Sequence, residues 1–475
     1  MSLISLTFFA FLIVVLFLYY KACRANQWIV LLAASLVFYV WAKPLYLLIL
    51  AISIITTWAL CLKPNKIKFA GIIAVNLGLL IFFRYGLYYN IHSLIVPLGM
   101  SFYTFMILGY AHDCLGGKIE PEKNPLKFAL FVSYFPQITQ GPIGNYRMMR
   151  EELFADHEFD KKNIGEGLYR ILRGCFLKLV IAGRLTYYVD SVFSDPKGLP
   201  GLSLIIGVFF YTIELYADFS GYMDIACGAS RLFGITLAEN FMRPYLSRNI
   251  QEFWRRWHIS LNEWFKEHLM LPAVTSKPNK SIAKVLAKIF PKAKKGTLRT
   301  VTPLVIVWLV TGIWHGAEDV YIGWGIYFAI IMLISVCSMN FVKKVKAKIG
   351  WKDENPVLTV LMVLKTYIIV FLGEVMFRAE SMSDAFAVYK GIFTNTRINM
   401  TQITAAMSHF GNGNQAIASM LIIGIMIAGM LIVEIIKERN ENAFTKNREI
   451  TAAVLLVLLA LFAVPGQSSF MYQAF

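Results

Sequence analysis

Apolar residues come in long blocks along this chain, not in strict alternation or narrow amphipathic stripes. The blocks cover residues 2–20, 27–42, 44–62, 69–90, 95–113, 169–190, 202–227, 300–316, 320–341, 357–378, 416–434 and 450–464. Each approaches the roughly 20 residues a helix needs to cross a hydrocarbon core of about 30 Å, several near the lower limit. The pattern predicts an all-α polytopic membrane protein with about twelve transmembrane helices. Two intervals, 126–160 and 235–275, do not fit simple spans. Residues 128–141 are apolar but short and end in Gly141-Pro142, and the second interval mixes aromatic with basic residues. Both predict re-entrant or interfacial helices, which are tolerated at membrane depth only where protein or a water-filled cavity covers the backbone. No internal repeat is visible, so the inverted-repeat signature of many secondary transporters is missing. No polar stretch is long enough to bury a core of its own, and residues 1–475 read as a single membrane domain.

The polar positions between blocks set an orientation. Lys63, Lys66 and Lys68 follow the third block; Lys118, Lys123 and Lys127 the fifth; Arg231, Arg243 and Arg248 the seventh. A basic set runs through 277–299, and further basic groups lie at 343–348 and 437–448. All fall on one side if the N-terminus is outside, as the positive-inside rule requires. The expectation is N-out and C-out in the cytoplasmic membrane, with the aromatic tail 465–475 extracytoplasmic. Residues 1–20 lack a basic leader and a small-residue cleavage site, and Lys21 and Arg24 follow, so this block reads as a first transmembrane helix.

Composition sharpens this picture. At 57% hydrophobic and 15% aromatic the chain is no ordinary soluble globule. Its net charge of +17 would suggest nucleic acid in a soluble protein. Here the cations sit in short loops beside apolar blocks, where anionic headgroups attract them, and no nucleic-acid-binding motif is present. The six cysteines are scattered without a CxxC pair and read as small core residues. The histidines show no metal-ligand spacing, and there is no P-loop or GxSxG elbow.

Two stretches carry chemistry. His315 lies inside an apolar block, in Thr311-Gly-Ile-Trp-His-Gly-Ala317. An ionisable group at bilayer depth needs a partner or a function, and imidazole is the side chain suited to take a proton near neutral pH. Gly312 and Gly316 would let a helix or a substrate approach it closely. The plainer reading is a structural histidine hydrogen-bonded between helices. The second stretch is Glu252-Phe-Trp-Arg-Arg-Trp-His258, in which Arg255 and Arg256 suit bidentate contacts to the phosphates of a cytosolic donor such as coenzyme A. His258 could assist chemistry or orient a partner, and the alternative is an interfacial helix anchored by Trp and Arg. Asp218, Asp224 and Glu214 lie in one apolar block, as partners of the histidines or as a proton path.

Together these residues resemble the membrane-bound O-acyltransferase superfamily, and within it the bacterial polysaccharide branch. The resemblance rests on ordered blocks: Pro97-Leu-Gly-Met-Ser-Phe-Tyr-Thr-Phe105, Gln140-Gly-Pro-Ile-Gly-Asn-Tyr146, Asp218-Phe-Ser-Gly-Tyr-Met-Asp224, Asn240-Phe-Met-Arg-Pro-Tyr245, Glu252-Phe-Trp-Arg-Arg-Trp-His-Ile-Ser-Leu261, Thr311-Gly-Ile-Trp-His-Gly-Ala317 and Phe377-Arg-Ala379. It implies a ring of helices around a tunnel through a thinned membrane centre. It implies that His315 is the family's near-invariant histidine and His258 its second motif histidine. The donor would be a cytosolic acyl thioester, most simply acetyl-CoA, with no bound cofactor and no metal. Asn240, Arg243, Trp254, Arg255 and Arg256 would hold the donor, while Asp218, Ser220, Tyr245 and Trp314 would line the tunnel or support the histidines. The tail ends Phe470-Met-Tyr-Gln-Ala-Phe475, similar to an aromatic motif of this branch, which implies that Tyr472 carries the acyl group to an extracytoplasmic partner acyltransferase. A tyrosine hydroxyl, with a pKa near 10, needs a base to attack a thioester, and a histidine can serve. One departure is Glu318-Asp319-Val320-Tyr321, where the family often has Trp-Asn.

The leading expectation is therefore a membrane enzyme that O-acetylates a cell-surface polysaccharide. A proton-coupled glycan or lipid transporter, and D-alanyl transfer to teichoic acid, stand as alternatives.

Overall fold

A computed structural model describes residues 1–91, 94–289, 294–348, 350, 355–396, 399–411, 413–444 and 447–464. Among them the regular structure is helical, apart from one isolated bridge between Phe241 and Trp257. This follows from the solvent: in hydrocarbon a backbone must satisfy its own polar groups, and a helix does so within one segment. Helix starts are written locally. Asn124 and Asn355 accept backbone N–H bonds from the turns they cap, and Pro125 and Pro356 follow each cap at the first helical position.

Among the described residues, seven helices are long and apolar enough to cross a membrane: Pro44–Cys61, Lys66–Tyr88, Gly201–Arg231, Lys295–His315, Asp319–Lys348, Pro356–Arg378 and Asn414–Arg439. Four further blocks form shorter helices, Leu6–Lys21, Gln27–Ala42, Met100–Leu115 and Arg448–Phe462, of 15 or 16 residues. At 1.5 Å per residue they reach only about 24 Å. The block 169–190 is not one straight helix. It runs Lys161–Phe176, a wider turn at Leu177–Ala182, and then Gly183–Phe193. Such wide turns interrupt helices at functional or strained places.

The described residues divide into two compact units. The first comprises Met1–Lys178, Phe219–Asn240 and the chain from Arg448. Here helix Lys161–Phe176 meets the C-terminal part of helix Gly201–Arg231 glycine to glycine. A Cβ on Gly167 would stand 2.8 Å from the Gly228 carbonyl oxygen, and one on Gly228 would stand 2.7 Å from that of Gly167. Gly174 and Gly221 repeat the arrangement one heptad along. Small residues are what allow such an approach. The interval 126–160 forms the short helices Pro125–Ser133, Phe135–Ile138 and Tyr146–Leu153. Phe128, Phe131, Tyr134, Phe135 and Ile138 are fully enclosed, so protein covers this irregular backbone, as its sequence requires.

The second unit comprises Leu179–Asp218 and Phe241–Asn447. Its frame is the hairpin of Lys295–His315 and Asp319–Lys348. Gly312 and Gly325 face each other across it: a Cβ on Gly312 would lie 2.6 Å from the Tyr321 carbonyl oxygen and 3.3 Å from the Gly325 Cα. Pro303 sits inside the first helix and offers no N–H to the carbonyl of Arg299. That carbonyl instead accepts a 2.8 Å hydrogen bond from Asn279 Nδ2, so the break is satisfied by a side chain.

Candidate active site

His315 is the last residue of its helix. Gly316 then adopts an extended backbone, and the next helix begins at Asp319. The imidazole is buried, 4% exposed, inside a wall of rings. Ring centroids lie 4.7 Å away at Trp314, 5.1 Å at Trp324, 5.0 Å at Phe377 and 6.5 Å at Tyr321. The contacts to Trp314, Trp324 and Phe377 are edge-on, the arrangement aromatic quadrupoles favour. The close approach that Gly312 permits is therefore that of the neighbouring helix, and the space beside Gly316 is taken by the Tyr321 ring.

His258 reaches the same place from the other motif. It precedes helix Ile259–Phe265 in a left-handed conformation, φ +50°, which a non-glycine residue holds only when its surroundings insist. Its buried ring lies 6.3 Å from Trp314, so the Trp314 indole is in ring contact with both histidines. Asn262 holds the turn: its amide nitrogen is 2.7 Å from the carbonyl oxygens of Trp254 and Trp257 and 3.2 Å from that of His258. Trp254 packs at 4.7 Å on Trp308, 4.9 Å on Phe328 and 5.8 Å on Trp324, so the motif containing His258 and the hairpin carrying His315 share one aromatic core.

The cationic residues of this unit divide into two kinds. Arg256 donates to Glu438 through both terminal nitrogens, at 3.0 and 2.8 Å, and pairs with Glu252 at 2.7 Å. Arg243 donates to Glu438 and Glu441, each at 2.7 Å. Burial works against the Arg243 charge, and the hydrogen bonds to the two carboxylates outweigh it, so its pKa lies above the ordinary arginine value. Arg243, like His258, has a left-handed backbone. Arg255, by contrast, is exposed and has no ion pair among the described residues. Tyr245 donates its hydroxyl to the Thr212 carbonyl and packs at 6.0 Å on Trp257, which places it in the wall of the Trp257 turn.

Asp218 is buried one turn beyond Glu214, whose carboxylate accepts from the Thr186 hydroxyl. Arg378 follows Phe377 of the histidine pocket and donates to Asp190 at 2.6 Å. In the first unit Ser220 is buried, Asn240 directs its amide at the Met223 sulfur at 3.1 Å, and Asp224 accepts from Arg170 at 3.0 Å and Arg173 at 2.6 Å. The cations beside Asp224 are thus arginines. Tyr472 lies outside the described residues.

Sequence reasoning missed several residues of the pocket. Trp324 and Tyr321 belong to the block after His315, and their signal was only their place in the first two turns of the returning helix. Glu374 is a second omission. It is 3% exposed, one turn before Phe377, and makes no hydrogen bond or ion pair among the described residues. Its signal was being the one acid within the apolar block 357–378.

Residues 122–383 match the family described as MBOAT, membrane-bound O-acyltransferase family. That span contains all the sequence blocks from Gln140 to Ala379. A probable alginate O-acetylase of Pseudomonas fluorescens is 30% identical, over 84% of this chain and 76% of that protein. The peptidoglycan O-acetyltransferase of Helicobacter pylori is 29% identical, over 94% and 91%. The teichoic acid D-alanyltransferase of Bacillus subtilis is 28% identical, over 61% and 70%.

Proposed function

Because this chain belongs to the membrane-bound O-acyltransferase family and is a multi-pass membrane O-acyltransferase, we propose that it moves an acetyl group from a cytosolic thioester to hydroxyl groups of a cell-surface polysaccharide. The observation that carries this reading is the convergence of two distant motifs on one buried place: His258 and His315 both contact the ring of Trp314.

The chemistry balances with the chain's own groups. His315 takes the proton from the attacking hydroxyl, the oxygen bonds to the acyl carbon, the C–S bond breaks, and the imidazolium returns the proton to the departing thiolate. His258 positions the thioester or shares the proton. Arg255, exposed and outside the ion-pair network, meets the donor's phosphates, with acetyl-CoA as the donor. Arg243 and Arg256 shape that surface through Glu438, and Trp254 anchors the same helix in the aromatic core. Asn240, Asp218, Ser220 and Tyr245 line the path. Tyr472 receives the acyl group and presents it to an extracytoplasmic partner transferase. The proposal includes about twelve crossings, N-out and C-out, in a single ring-shaped domain. Helices reaching only about 24 Å suit a thinned membrane centre.

Acetyl transfer is preferred over D-alanyl transfer because the relatives named as O-acetylases match more of the chain. Family membership removes the ground for a transporter. The test is intact-mass and peptide mass spectrometry after incubation with acetyl-CoA, on wild type, His315→Ala and Tyr472→Phe. An acetyl group on the C-terminal peptide of wild type, absent from both variants, is the expected result. Polymer acetylation that persists in folded His315→Ala refutes the base, and normal polymer acetylation in Tyr472→Phe refutes the carrier.

A further inference from the structure

Helix Lys277–Ile289 presents three stripes. At about 100° per residue, Lys277, Lys280, Lys284 and Lys288 fall along one line, and all four are exposed. Asn279 and Ala283 fall on a second line and are buried against protein. Ile282, Val285 and Ile289 fall on a third and are 43%, 57% and 62% exposed. The lysine line and the exposed apolar line are roughly 130° apart on the helical wheel. A helix lying flat in a bilayer interface has this division, with the apolar stripe toward acyl chains and the cations toward headgroups. Its place agrees: six residues after Ile289 the span Lys295–His315 begins, and a span begins at an interface.

The buried stripe is connected to the active site. Asn279 Nδ2 holds the Arg299 carbonyl that Pro303 leaves without a partner, and the same helix ends at His315. We propose that Lys277–Ile289 docks on anionic phospholipid headgroups and, through Asn279, braces the Pro303-interrupted start of the helix that carries His315. An acidic polypeptide would satisfy the lysines but leave Ile282, Val285 and Ile289 wet, so the occupant is lipid. The coupling to catalysis rests on the function proposed above; the docking itself does not.

The test is hydrogen–deuterium exchange of the full protein in nanodiscs of phosphatidylcholine alone or with added phosphatidylglycerol. The anionic lipid is expected to slow exchange several-fold across 282–289 and across 299–305. The Lys280→Gln, Lys284→Gln, Lys288→Gln variant keeps its thermal transition and loses both responses. Asn279→Ala keeps the response at 282–289 and loses it at 299–305. Equal exchange in the two lipid mixtures overturns the docking, as does soluble polyglutamate slowing exchange as much as lipid does. A response at 299–305 that survives in Asn279→Ala overturns the brace. Exchange is measured without any acyl transfer, so failure of the enzymatic reading leaves this result interpretable.

Discussion

Gly312→Ala tests whether the hairpin crossing positions His315. On helix propensity alone the substitution stabilises, since alanine is better than glycine by about 1 kcal/mol in a helix interior. The crossing predicts the opposite sign. The new Cβ would stand 2.6 Å from the Tyr321 carbonyl oxygen, and ordinary contact starts at 3.4 Å. The obstacle is backbone, which cannot rotate away, so the two helices must part by about 0.8 Å, an overpacking that costs about 1–3 kcal/mol. His315 lies one turn further along the same face. Displacing a catalytic group by about 1 Å can cost about a hundredfold in rate, so with His315 in its proposed role as base a loss of at least about tenfold in acyl transfer is expected. The assay is the initial rate of acetyl-CoA consumption in nanodiscs, with thermal unfolding alongside. Gly296→Ala is the control: nothing lies within 4 Å of a Cβ there, so its rate should be unchanged. A Gly312→Ala protein with wild-type rate and a raised transition refutes the argument.

Three more expectations follow from the site. Arg255→Ala should raise the KM for the thioester with the melting transition unchanged, whereas Arg256→Ala should lower that transition, by up to about 1–2 kcal/mol of stability because Glu438 is partly solvated; equal effects on both would refute the division. Glu374→Leu replaces an enclosed carboxyl that lacks hydrogen bonds among the described residues by an apolar side chain of similar size and should leave thermal stability equal or higher; a clear drop would show that the carboxyl has a stabilising partner. Asn279→Ala strands the Arg299 carbonyl and should lower stability by about 1–3 kcal/mol, measured by thermal unfolding in nanodiscs.

The helical class and the seven long spans were legible because a block of some 20 apolar residues has few alternatives in a bilayer. The number of crossings was less so: the block 169–190 looks continuous, yet a wide turn at Leu177–Ala182 interrupts it, and periodicity carries no mark of that. The two histidines stood out as ionisable groups beside apolar blocks, and the structure brings both to Trp314. Trp314 was named beside them, but how the rest of the wall comes together did not stand out. Phe377 reaches His315 from a distant helix, and Glu438 gathers Arg243 and Arg256 from nearly two hundred residues away, contacts that only tertiary packing creates. Sequence could not separate Arg255 from Arg256, because adjacent residues on a helix point about 100° apart and only the neighbours decide which is engaged.

The ring cluster has an optical consequence. The chain holds ten tryptophans, and four of them, Trp254, Trp308, Trp314 and Trp324, lie in the chain of contacts that leads to His315. Indoles this close exchange excitation energy, and a protonated imidazole quenches an adjacent indole while a neutral one quenches far less. The site thus contains its own fluorophore and its own quencher. A proton arriving on His315 should dim emission without any added label, and stopped-flow fluorescence could then time the proton step separately from product release.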